Sequence, residues 1–440
     1  MRQQFTNLRT IFRNKWLCIF QVDDLHMPLR VMLMAGSMDS GGSERQTLTI
    51  LRHLDRARFA PELYLVYRRG VLLQSLPNDV PVHAFDDDPL SIRVNWPGRI
   101  HRRQGAHFRD LVASRQIDVV YDRTYHMTLI AARGCDRLQV PRLATIVSPP
   151  SLDLRQSENR FFRIKKLLLA RAYQRAARVL AVSHAVRDDA IEFYHLPPDH
   201  VRTLHSGIDL QRLQDASQLG MLPAPWLALG QLALGQRALG QRALGQQQPA
   251  LFHVACIGRM TAEKGHTVLL QGLQALQRHT PAALDRMVLW MIGDGPLRGA
   301  LEQQVASHQL NSHVQFLGTL ANVAPLLARC SLLVCPSTYE GWSNAILEAF
   351  ALKVPVIATA AGGNIEMLGD GTRGRLVAAG DGEGLGSAIA ELRASATKRQ
   401  QYSERAYRYL HDHWQISAVM PRLEEELITA AEESARGTSS

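Results

Sequence analysis

Residues 332–348 read LLVCPSTYEGWSNAILE and carry the clearest structural signal in this sequence of 440 residues. Four apolar residues come first, and the turn residues Pro336 and Ser337 follow them. A short apolar run bounded by turn residues is typical of a buried strand. A helix is predicted from Asn344, so the whole stretch predicts the strand-to-helix turn of an α/β domain.

The same alternation continues on both sides of this stretch. In the second half of the chain, strands are predicted at 251–257, 287–292, 314–316, 332–335, 356–359 and 374–377. In the first half, strands are predicted at 29–35, 62–66, 118–121, 142–147 and 179–182. Helical segments separate these strands, and such alternation favours parallel sheets. Because hydrophobic cores stop growing near roughly 250 to 300 residues, we predict an α/β fold with two doubly wound domains.

A low-complexity segment divides the two predicted domains. Residues 228–246 repeat Ala-Leu-Gly-Gln plus one variable residue nearly four times. A period of this length is too short for a solenoid, and a glycine in every unit indicates a linker. We therefore predict an extension at 1–27, a first domain at 28–210, the linker at 211–249, a second domain at 250–400, a C-terminal helix at 401–430 packed back on the first domain, and a tail at 431–440.

The composition is that of a folded protein without a membrane-spanning helix. Apolar residues make up 46% of the chain and charged residues 20%, and no apolar run approaches the roughly 20 residues that a transmembrane helix requires. The apolar run at 16–20 is too short for a secretory leader, so a cytoplasmic location is expected. The cysteines show no C-x-x-C pair and predict buried thiols rather than a structural zinc site. They are Cys18, Cys135, Cys256, Cys330 and Cys335.

The net charge of +10 comes entirely from residues 1–205. A basic surface attracts phosphates and anionic lipid headgroups, although a generally soluble basic surface explains the charge as well. The segment 155–178 is predicted to be a basic amphipathic helix, which either rests on an anionic membrane or packs its apolar stripe into the core. A peripheral position on the inner face of the membrane therefore stays open. No nucleic-acid-binding signature is present, and nucleic acid is not expected as a partner.

Two glutamates flank the turn at 336–343. Glu340 lies in the loop, and Glu348 lies about one turn inside the predicted helix. The backbone amides of residues 341–344 would form the N-terminus of that helix, where unpaired N–H groups suit a diphosphate. Carboxylates beside an anion site are expected to bind hydroxyl groups, which sugars and riboses supply. Taken alone, a helix cap with an acidic first turn explains this pattern equally well.

Two cations follow the first strand of the second domain. Arg259 and Lys264, in the stretch GRMTAEKG at 258–265, can converge on one anion, arginine as a fork and lysine as a point charge. A solvated turn is the alternative for this pattern by itself. Three further glycine turns follow predicted strands and suit the close approach of a ligand. They are Gly41-Gly42, Gly293-Asp294-Gly295 and Gly362-Gly363.

In this order, the motifs resemble glycosyltransferase family 4, a group of retaining nucleotide-sugar transferases with the GT-B fold. The resemblance extends over residues 29–427 and includes the stretch SGID at 206–209. It implies two Rossmann-like domains that face each other across a cleft. It also implies transfer of a hexose from a nucleotide-diphosphate sugar to a glycan or lipid-linked acceptor, in cell-surface polysaccharide or glycolipid synthesis.

The resemblance also implies roles for single residues. Arg259 and Lys264 would neutralise the donor diphosphate without an obligatory metal or other cofactor, Glu340 would contact the transferred sugar, and Glu348 would hold the ribose hydroxyls. The other donor-binding residues that it implies are Gly41, Gly42, Gly258, Gly293, Gly295, Gly341, Trp342, Ser343 and Asn344. Trp342, Ser343 and Asn344 depart from the commoner residues of the family.

A second departure lies in the first domain. Many family members have a histidine soon after the strand at 118–121, where this chain has Arg123 and then His126. His126 is therefore a candidate catalytic residue, with an ordinary loop histidine as the alternative.

Three other functions are open on the sequence alone. An inactive sugar-nucleotide-binding or scaffold module would share the fold, but intact cations and acids disfavour it. A sugar-nucleotide epimerase would require more acid and base residues than the motifs supply. A Rossmann oxidoreductase would bind a nicotinamide cofactor, which is disfavoured because Arg298 occupies the third glycine position of the dinucleotide motif.

Overall fold

The first half of the chain forms a parallel sheet of seven strands, which with its helices is here called the first lobe. The computed structural model describes residues 27–87, 99–157, 161–219, 222–224, 226 and 251–437. The strands are β1 (Leu29–Ala35), β2 (Phe59–Leu65), β3 (Val82–Ala84), β4 (Val119–Arg123), β5 (Arg142–Ile146), β6 (Arg178–Ala181) and β7 (Val201–Thr203). The helices are α1 (Gly42–His53), α2 (Arg99–Arg115), α3 (Tyr125–Cys135), α4 (Pro150–Ser157), α5 (Phe162–Gln174), α6 (His184–Tyr194) and α7 (Leu210–Gln218). The predicted repeat at 228–246 and residues 1–26 of the predicted extension lie outside the described residues.

The second half forms a parallel sheet of six strands, here called the second lobe. Its strands are β8 (Phe252–Ile257), β9 (Met287–Ile292), β10 (Val314–Gly318), β11 (Leu332–Cys335), β12 (Val356–Thr359) and β13 (Arg375–Val377). The helices that follow are α8 (His266–His279), α9 (Arg298–Ser307), α10 (Ala324–Leu327), α11 (Asn344–Ala351), α12 (Gly363–Leu368), α13 (Gly382–Ala394), α14 (Ala396–His413) and α15 (Ile416–Gly437).

Each sheet reverses its strand order at one place. The order is β3-β2-β1-β4-β5-β6-β7 in the first lobe and β10-β9-β8-β11-β12-β13 in the second. The reversal points therefore lie between β1 and β4 and between β8 and β11. In open parallel sheets, ligands bind beyond the carboxyl ends of the strands at such points. The prediction of two doubly wound α/β domains is confirmed.

The end of the chain differs from the single helix that the sequence predicts at 401–430. Two helices are present, and the break between them lies at Trp414 and Gln415. There the backbone N–H of Ile416 donates to the carbonyl of Ile208, and the N–H of Ile208 donates to the carbonyl of Trp414. These long-range bonds replace intrahelical ones, so the helix ends where the chain crosses to the first lobe.

Helix α15 packs on the sheet of the first lobe. Its apolar face shares one buried cluster with β1, β2 and β4. The buried carboxylate of Glu424 accepts hydrogen bonds from the N–H of Asp55 at 3.0 Å and from Arg58 at 3.1 Å. The last helix thus ties the C-terminal part of the chain to the N-terminal lobe.

The basic helix predicted at 155–178 is also divided. Helix α4 ends at Ser157, helix α5 occupies Phe162–Gln174, and strand β6 already begins at Arg178. Arg178 pairs with Leu143 in the sheet, which a continuous helix would prevent.

The described cysteines fit the predicted buried thiols. Cys135, Cys256, Cys330 and Cys335 are buried and unpaired, while Cys18 lies outside the described residues. Among the helices that the structure describes, none combines the length and the apolar character needed to cross a bilayer.

Candidate active site between the two lobes

The loops that follow β8 and β11 meet at the reversal point of the second sheet. A short helical turn, Ala262–Lys264, directs the lysine toward the neighbouring loop. Its Nζ lies 2.7 Å from Oε2 of Glu340, and the Ser337 hydroxyl donates to the same oxygen at 3.1 Å. The lysine side chain is 26% exposed and the glutamate side chain 12%. One predicted cation and the first predicted acid therefore form a largely buried ion pair.

This ion pair keeps Lys264 charged. Burial by itself lowers the pKa of Lys264, but the charge of Glu340 and the hydrogen bond to it raise that pKa more, and the net result lies above the usual value. A buried cation whose charge is fixed in this way is suited to binding phosphate. An anion bound at Nζ would share the lysine with Glu340 and leave carboxylate oxygen available for a hydroxyl group.

Glycines allow the backbones of neighbouring loops in the second lobe to approach each other closely. Gly265 has φ +66°, and a Cβ there would lie 1.9 Å from the carbonyl oxygen of Pro336. Gly293 has φ +134°, and its Cβ would lie 2.0 Å from the carbonyl oxygen of Gly258. A Cβ at Gly295 would come within 2.6 Å of another backbone oxygen of the Gly258 loop. Side chains at these three positions would therefore push apart the loops that surround the ion pair.

The second predicted cation, Arg259, forms no described ion pair or hydrogen bond with Glu340. It is exposed at the end of β8, and its positive charge acts on the carboxylates of Glu44 and Asp153 in the first lobe. Burial is the largest influence on Glu44 and raises its pKa, while the charges of Arg123 and Arg259 oppose this shift. Arg259 therefore faces the cleft between the lobes.

The second predicted acid, Glu348, lies on α11 and is half-buried. Burial raises the pKa of Glu348, and the charge of Arg45 on α1 partly opposes this rise. Within the part of the chain that the structure describes, its carboxylate forms no hydrogen bond. The carboxylate of Glu348 can therefore still accept hydrogen bonds, and its contact with a ribose stays a prediction.

The turn between the two acids is also the contact between the lobes. Ser343 caps α11, because its Oγ accepts from the N–H of Ile346 at 3.4 Å. Asn344 donates to the carbonyl of Gly42 at 3.2 Å and accepts from Nε2 of Gln46 at 3.0 Å. The first turn of α11 and the glycine turn before α1 are therefore hydrogen-bonded to each other.

Gly341 brings the backbone of the two lobes into direct contact. A Cβ at Gly341 would lie 1.9 Å from the carbonyl oxygen of Val147, which follows β5. Two residues earlier, the Tyr339 hydroxyl lies 3.1 Å from Oε1 of Gln156 and 3.4 Å from Oδ1 of Asp153. The loop that carries Glu340 is thus held against the first lobe on both sides of the glutamate.

Trp342 packs between the lobes. Its ring is buried, stacks on His205 at 4.4 Å between centroids, and meets Trp414 edge-on at 4.8 Å. The indole therefore takes part in an aromatic cluster, and its contact with a donor stays a prediction.

The reversal point of the first lobe combines glycine with a buried arginine. Helix α1 begins after Gly41 without a side-chain cap. Arg123, at the end of β4, is 6% exposed and donates from Nη1 to the Tyr121 hydroxyl at 3.0 Å. Its Nε is buried without a hydrogen-bond partner among the described residues. Thr124 then adopts φ +74°, a left-handed conformation that costs a residue with a branched side chain free energy.

His126 lies on α3, apart from the ion pair of the second lobe. Its ring packs edge-on to His101 at 5.0 Å. Burial, followed by the nearby charges of His101 and Lys165, lowers the pKa of His126 to about 4, so the ring is neutral near pH 7. Its described neighbours belong to the first lobe, and a catalytic role of His126 stays a prediction.

Sequence reasoning did not assign functions to Glu44, Asp153 and Tyr339, which the structure places at the cleft. Glu44 directly follows the Gly41-Gly42 turn, so its position offered a signal. Asp153 offered none, because it reaches Tyr339 only through the packing of the lobes.

Two family models match the chain, one in each lobe. Residues 40–212 match the model described as Glycosyltransferase Family 4, and residues 252–395 match Glycosyl transferases group 1. The first ends near the close of the first lobe and the second begins with β8. Together they cover most of the described structure.

Several curated relatives are glycosyltransferases named for lipopolysaccharide core biosynthesis. The lipopolysaccharide core biosynthesis glycosyltransferase LpsE of Rhizobium meliloti is 30% identical over 38% of this chain and 46% of its own length. The mannosyltransferase LpcC of Rhizobium leguminosarum, also named for lipopolysaccharide core biosynthesis, is 28% identical over 38% of this chain and 48% of its own length. The matched segments thus span about half the length of these relatives.

Solved structures share the fold over nearly the whole chain. Anabaena HepE, crystallised with UDP and glucose, superposes with a TM-score of 0.72 at 20% identity, over 91% of this chain and 99% of its own. WaaG, a glycosyltransferase involved in lipopolysaccharide biosynthesis, superposes with a TM-score of 0.65 at 16% identity, over 90% and 99% of the two chains. With two Rossmann-like lobes in the GT-B arrangement and a family model matching each, the chain belongs to glycosyltransferase family 4.

Proposed function

We propose that this protein is a retaining glycosyltransferase that moves a hexose from a nucleotide-diphosphate sugar to a glycan or lipid-linked acceptor. The observation that carries the proposal is the buried pair of Lys264 and Glu340 at the reversal point of the second sheet. Fixed positive charge beside a carboxylate suits a reaction in which a diphosphate departs from a sugar. The glycine turn of the other lobe, at Gly42, lies against the same region through Asn344.

The proposed chemistry assigns one task to each group. Negative charge develops on the departing diphosphate, and Lys264 and Arg259 stabilise it where water is largely excluded. The N-terminus of α11 adds a positive dipole end on the same side. Glu340 holds Lys264 and contacts the transferred sugar, while Glu348 accepts from the ribose hydroxyls. These fixed cations supply the charge for which other transferases use a metal, so we propose that no metal is obligatory at the diphosphate.

The names of the relatives support a membrane-borne glycan as acceptor. LpsE and LpcC are named for lipopolysaccharide core biosynthesis. A transferase of Campylobacter jejuni, 21% identical over 84% of this chain and 92% of its own length, is named for an acceptor on diphospho-undecaprenol. We propose an acceptor of this class, in synthesis of lipopolysaccharide or a related glycolipid.

The surface of α4 and α5 supports binding to the inner face of an anionic membrane by a cytoplasmic protein. Half of the large apolar side chains that are exposed in the described part of the chain lie between residues 152 and 168. They are Leu152, Phe161, Ile164, Leu167 and Leu168. The basic residues Arg155, Arg163, Arg171 and Arg175 are exposed within or next to this stretch of the chain. Exposed apolar side chains interspersed with arginine suit the headgroup region of a bilayer.

Nucleotide-sugar binding provides the first test of the proposed transfer. UDP-, GDP- and ADP-sugars would be screened by thermal shift, since a donor at 100 times its Kd stabilises a protein by about 2.7 kcal/mol. We expect one base to raise Tm clearly above the others. If no nucleotide sugar shifts Tm, the proposed donor is wrong.

Product analysis distinguishes a transferase from the two alternative functions, an inactive sugar-nucleotide-binding module and an epimerase. Release of nucleoside diphosphate that depends on acceptor supports transfer, whereas donor binding without release indicates an inactive module and interconversion of donor sugars indicates an epimerase. The anomeric coupling constant of the product, measured by NMR, tests retention.

Vesicle sedimentation tests the membrane surface. Binding to phosphatidylcholine vesicles should require added phosphatidylglycerol, and the double variant Ile164→Glu, Leu167→Glu should lower it roughly tenfold or more because two apolar side chains are lost from the bilayer. Val71→Glu is the control, since Val71 is 63% exposed elsewhere on the same lobe. Equal binding by both variants would contradict this surface.

A further inference from the structure

Two histidines of the first lobe and one glutamate of the second converge beside the interlobe contact. His184 is the first residue of α6, His205 follows β7, and Glu366 lies on α12. One ligand atom from each residue can be chosen so that all three lie within 4.8 Å of one another. Nε2 of His184 lies 3.7 Å from Oε1 of Glu366, and Nε2 of His205 is hydrogen-bonded to the same oxygen.

Neighbouring groups orient these ligand atoms. The backbone N–H of His184 donates to Oε2 of Glu366 at 2.9 Å, which leaves Oε1 facing the two rings. The Thr203 hydroxyl lies 3.0 Å from Nδ1 of His184 and can accept a hydrogen bond from its N–H. In that tautomer Nε2 presents its lone pair toward the glutamate, as the hydrogen-bonded histidine ligands of metal sites do.

The other two side chains are held by their surroundings. The ring of His205 stacks on Trp342 at 4.4 Å between centroids. Arg373 donates to the backbone carbonyls of Glu366 at 2.5 Å and Met367 at 2.9 Å, which fixes the chain that carries the carboxylate. The group is thus positioned before any ligand arrives.

The group is open to solvent on the side of His184. The side chain of His184 is 68% exposed, which gives an ion and a water molecule access to the group.

Two imidazole nitrogens and one carboxylate oxygen form a ligand set typical of zinc. Ligand distances of about 2.0 to 2.1 Å around a tetrahedral ion place neighbouring ligand atoms roughly 3.3 Å apart. The separations between the three side chains permit this arrangement with small movements. Hard ions such as Mg²⁺ prefer oxygen ligands and are not expected here.

We propose that His184, His205 and Glu366 form a binding site for a divalent transition metal of the zinc type, shared between the two lobes. Because the ligands come from both lobes, the bound ion favours the arrangement in which the lobes are in contact. Neither Lys264 nor Arg259 takes part, so metal binding here is independent of the proposed function.

Calorimetric titration of the full chain, free of any polyhistidine tag and stripped with EDTA, tests the site with ZnCl2, NiCl2 and MgCl2. We expect one equivalent of Zn²⁺ to bind and to raise Tm, and Mg²⁺ to do neither. His184→Ala removes a ligand and should weaken Zn²⁺ binding by at least the roughly 10- to 100-fold that loss of a ligand's outer hydrogen-bonding partner causes. The control His411→Ala, at a histidine with 57% exposure, should bind like the unchanged protein.

A second variant covers the case in which His184→Ala folds poorly. Glu366→Gln keeps the size of the side chain and removes its charge, and circular dichroism checks its fold. Cobalt replaces zinc in this measurement, because tetrahedral Co²⁺ gives visible bands that should appear with the unchanged protein and disappear with Glu366→Gln. The proposal is overturned if Zn²⁺ leaves the Tm of the unchanged protein where it was, or if folded variants bind Zn²⁺ as tightly as it does.

Discussion

At the reversal point of the second lobe a lysine and a glutamate are paired 2.7 Å apart, whereas the reversal point of the first lobe offers glycine backbone and a single buried arginine. The two sheets are wound alike, and each has loops at the carboxyl ends of two neighbouring strands. The difference lies in the side chains. At its reversal point the second lobe holds an ion pair of side chains, whereas the first lobe has a glycine turn that leaves space for a bound molecule.

This contrast suits a division of labour in the proposed reaction. A diphosphate is the same in every nucleotide sugar, so the lobe that binds it can hold rigid, paired charges such as Lys264 and Glu340. Acceptors differ in size and chemistry, and a turn such as Gly41-Gly42 admits backbone contact without prescribing a side chain. Arg123, whose buried Nε lacks a described partner, is a fixed polar group at the reversal point of the first lobe.

Removing the charge of the second lobe should have the largest effect. Lys264→Ala should lower kcat roughly 10² to 10³-fold, because the departing diphosphate loses a fixed cation and Glu340 is left buried without its partner. Steady-state kinetics with the donor identified by thermal shift provide the measurement.

Lys398→Ala is the matched control for this loss of charge. Lys398 is 53% exposed and its described ion-pair partner is Glu391 on the neighbouring helix, so turnover should stay normal. Near-normal turnover of Lys264→Ala itself would exclude the role assigned to this lysine.

Separating the backbones of the two lobes should have the next largest effect. In Gly341→Ala the new Cβ would lie 1.9 Å from the carbonyl oxygen of Val147, so the loop must shift away from the first lobe. We expect a loss of about 1 to 3 kcal/mol in the free energy of unfolding, with a fall in kcat as Glu340 moves with its loop. Urea unfolding and initial rates measure the two effects.

Gly299→Ala serves as the control for adding a methyl group. Beyond its chain neighbours and the backbone of its own helix, a Cβ at Gly299, in α9, meets no atom within 4 Å, and alanine favours helix by up to about 1 kcal/mol. The free energy of unfolding of Gly299→Ala should therefore rise rather than fall. If Gly341→Ala behaves like this control, the lobes do not meet as described.

The sequence predicts the central strands of each lobe better than the short strands and the segment where the chain crosses between the lobes. Strands β1, β9, β11 and β12 lie where their apolar runs predict them, since a buried strand of a parallel sheet is apolar along its length. Strands β3 and β7 were not predicted, because three residues are too few to establish a period. The break before α15 was missed because its cause, pairing of Gln415 with Ile208, lies far away in the sequence.

The candidate site divides in the same way. Lys264 and Glu340 were each predicted to lie at the donor site, because each follows a strand of the second domain, but their ion pair with each other was not predicted. The contact of Asn344 with Gly42 joins residues 302 positions apart and has no local signature. The three proposed metal ligands show the same limit, since cysteine spacing indicated no metal site and the histidines meet Glu366 only through folding.

Loosening the hydrogen bonds between the lobes should have a smaller effect than displacing their backbones. Asn344→Ala removes two hydrogen bonds, to Gly42 and Gln46, at a cost of about 1 to 2 kcal/mol. Small-angle X-ray scattering should detect a larger radius of gyration, and Tm should fall. Gln400→Ala is the control, since Gln400 is exposed and its side chain bonds to Glu404 of its own helix. An unchanged radius for Asn344→Ala would show that Asn344 does not hold the lobes together.

The smallest expected effect is a difference between the two lobes in how much stability each loses in mild acid. Burial lowers the pKa of His253 and of His266 to about 4, so the second lobe holds two neutral histidines that would take up protons on unfolding. A group with a depressed folded pKa stabilises the fold above its unfolded pKa of about 6.5, and this contribution is lost as the pH falls toward 4. Each such histidine should remove about 1 kcal/mol by roughly pH 5.5. The first lobe has the half-buried His126 with the same low pKa.

Hydrogen exchange read by mass spectrometry resolves this difference, because it reports α8 and α3 separately. Protection of α8 should fall more between neutral pH and roughly pH 5.5 than protection of α3. In His266→Gln the protection of α8 should change less with pH, because glutamine takes up no proton. In His279→Gln, at an exposed position of the same helix, the protection of α8 should change with pH as in the unchanged protein. Equal slopes for both variants would mean that His266 does not set the acid sensitivity of the second lobe.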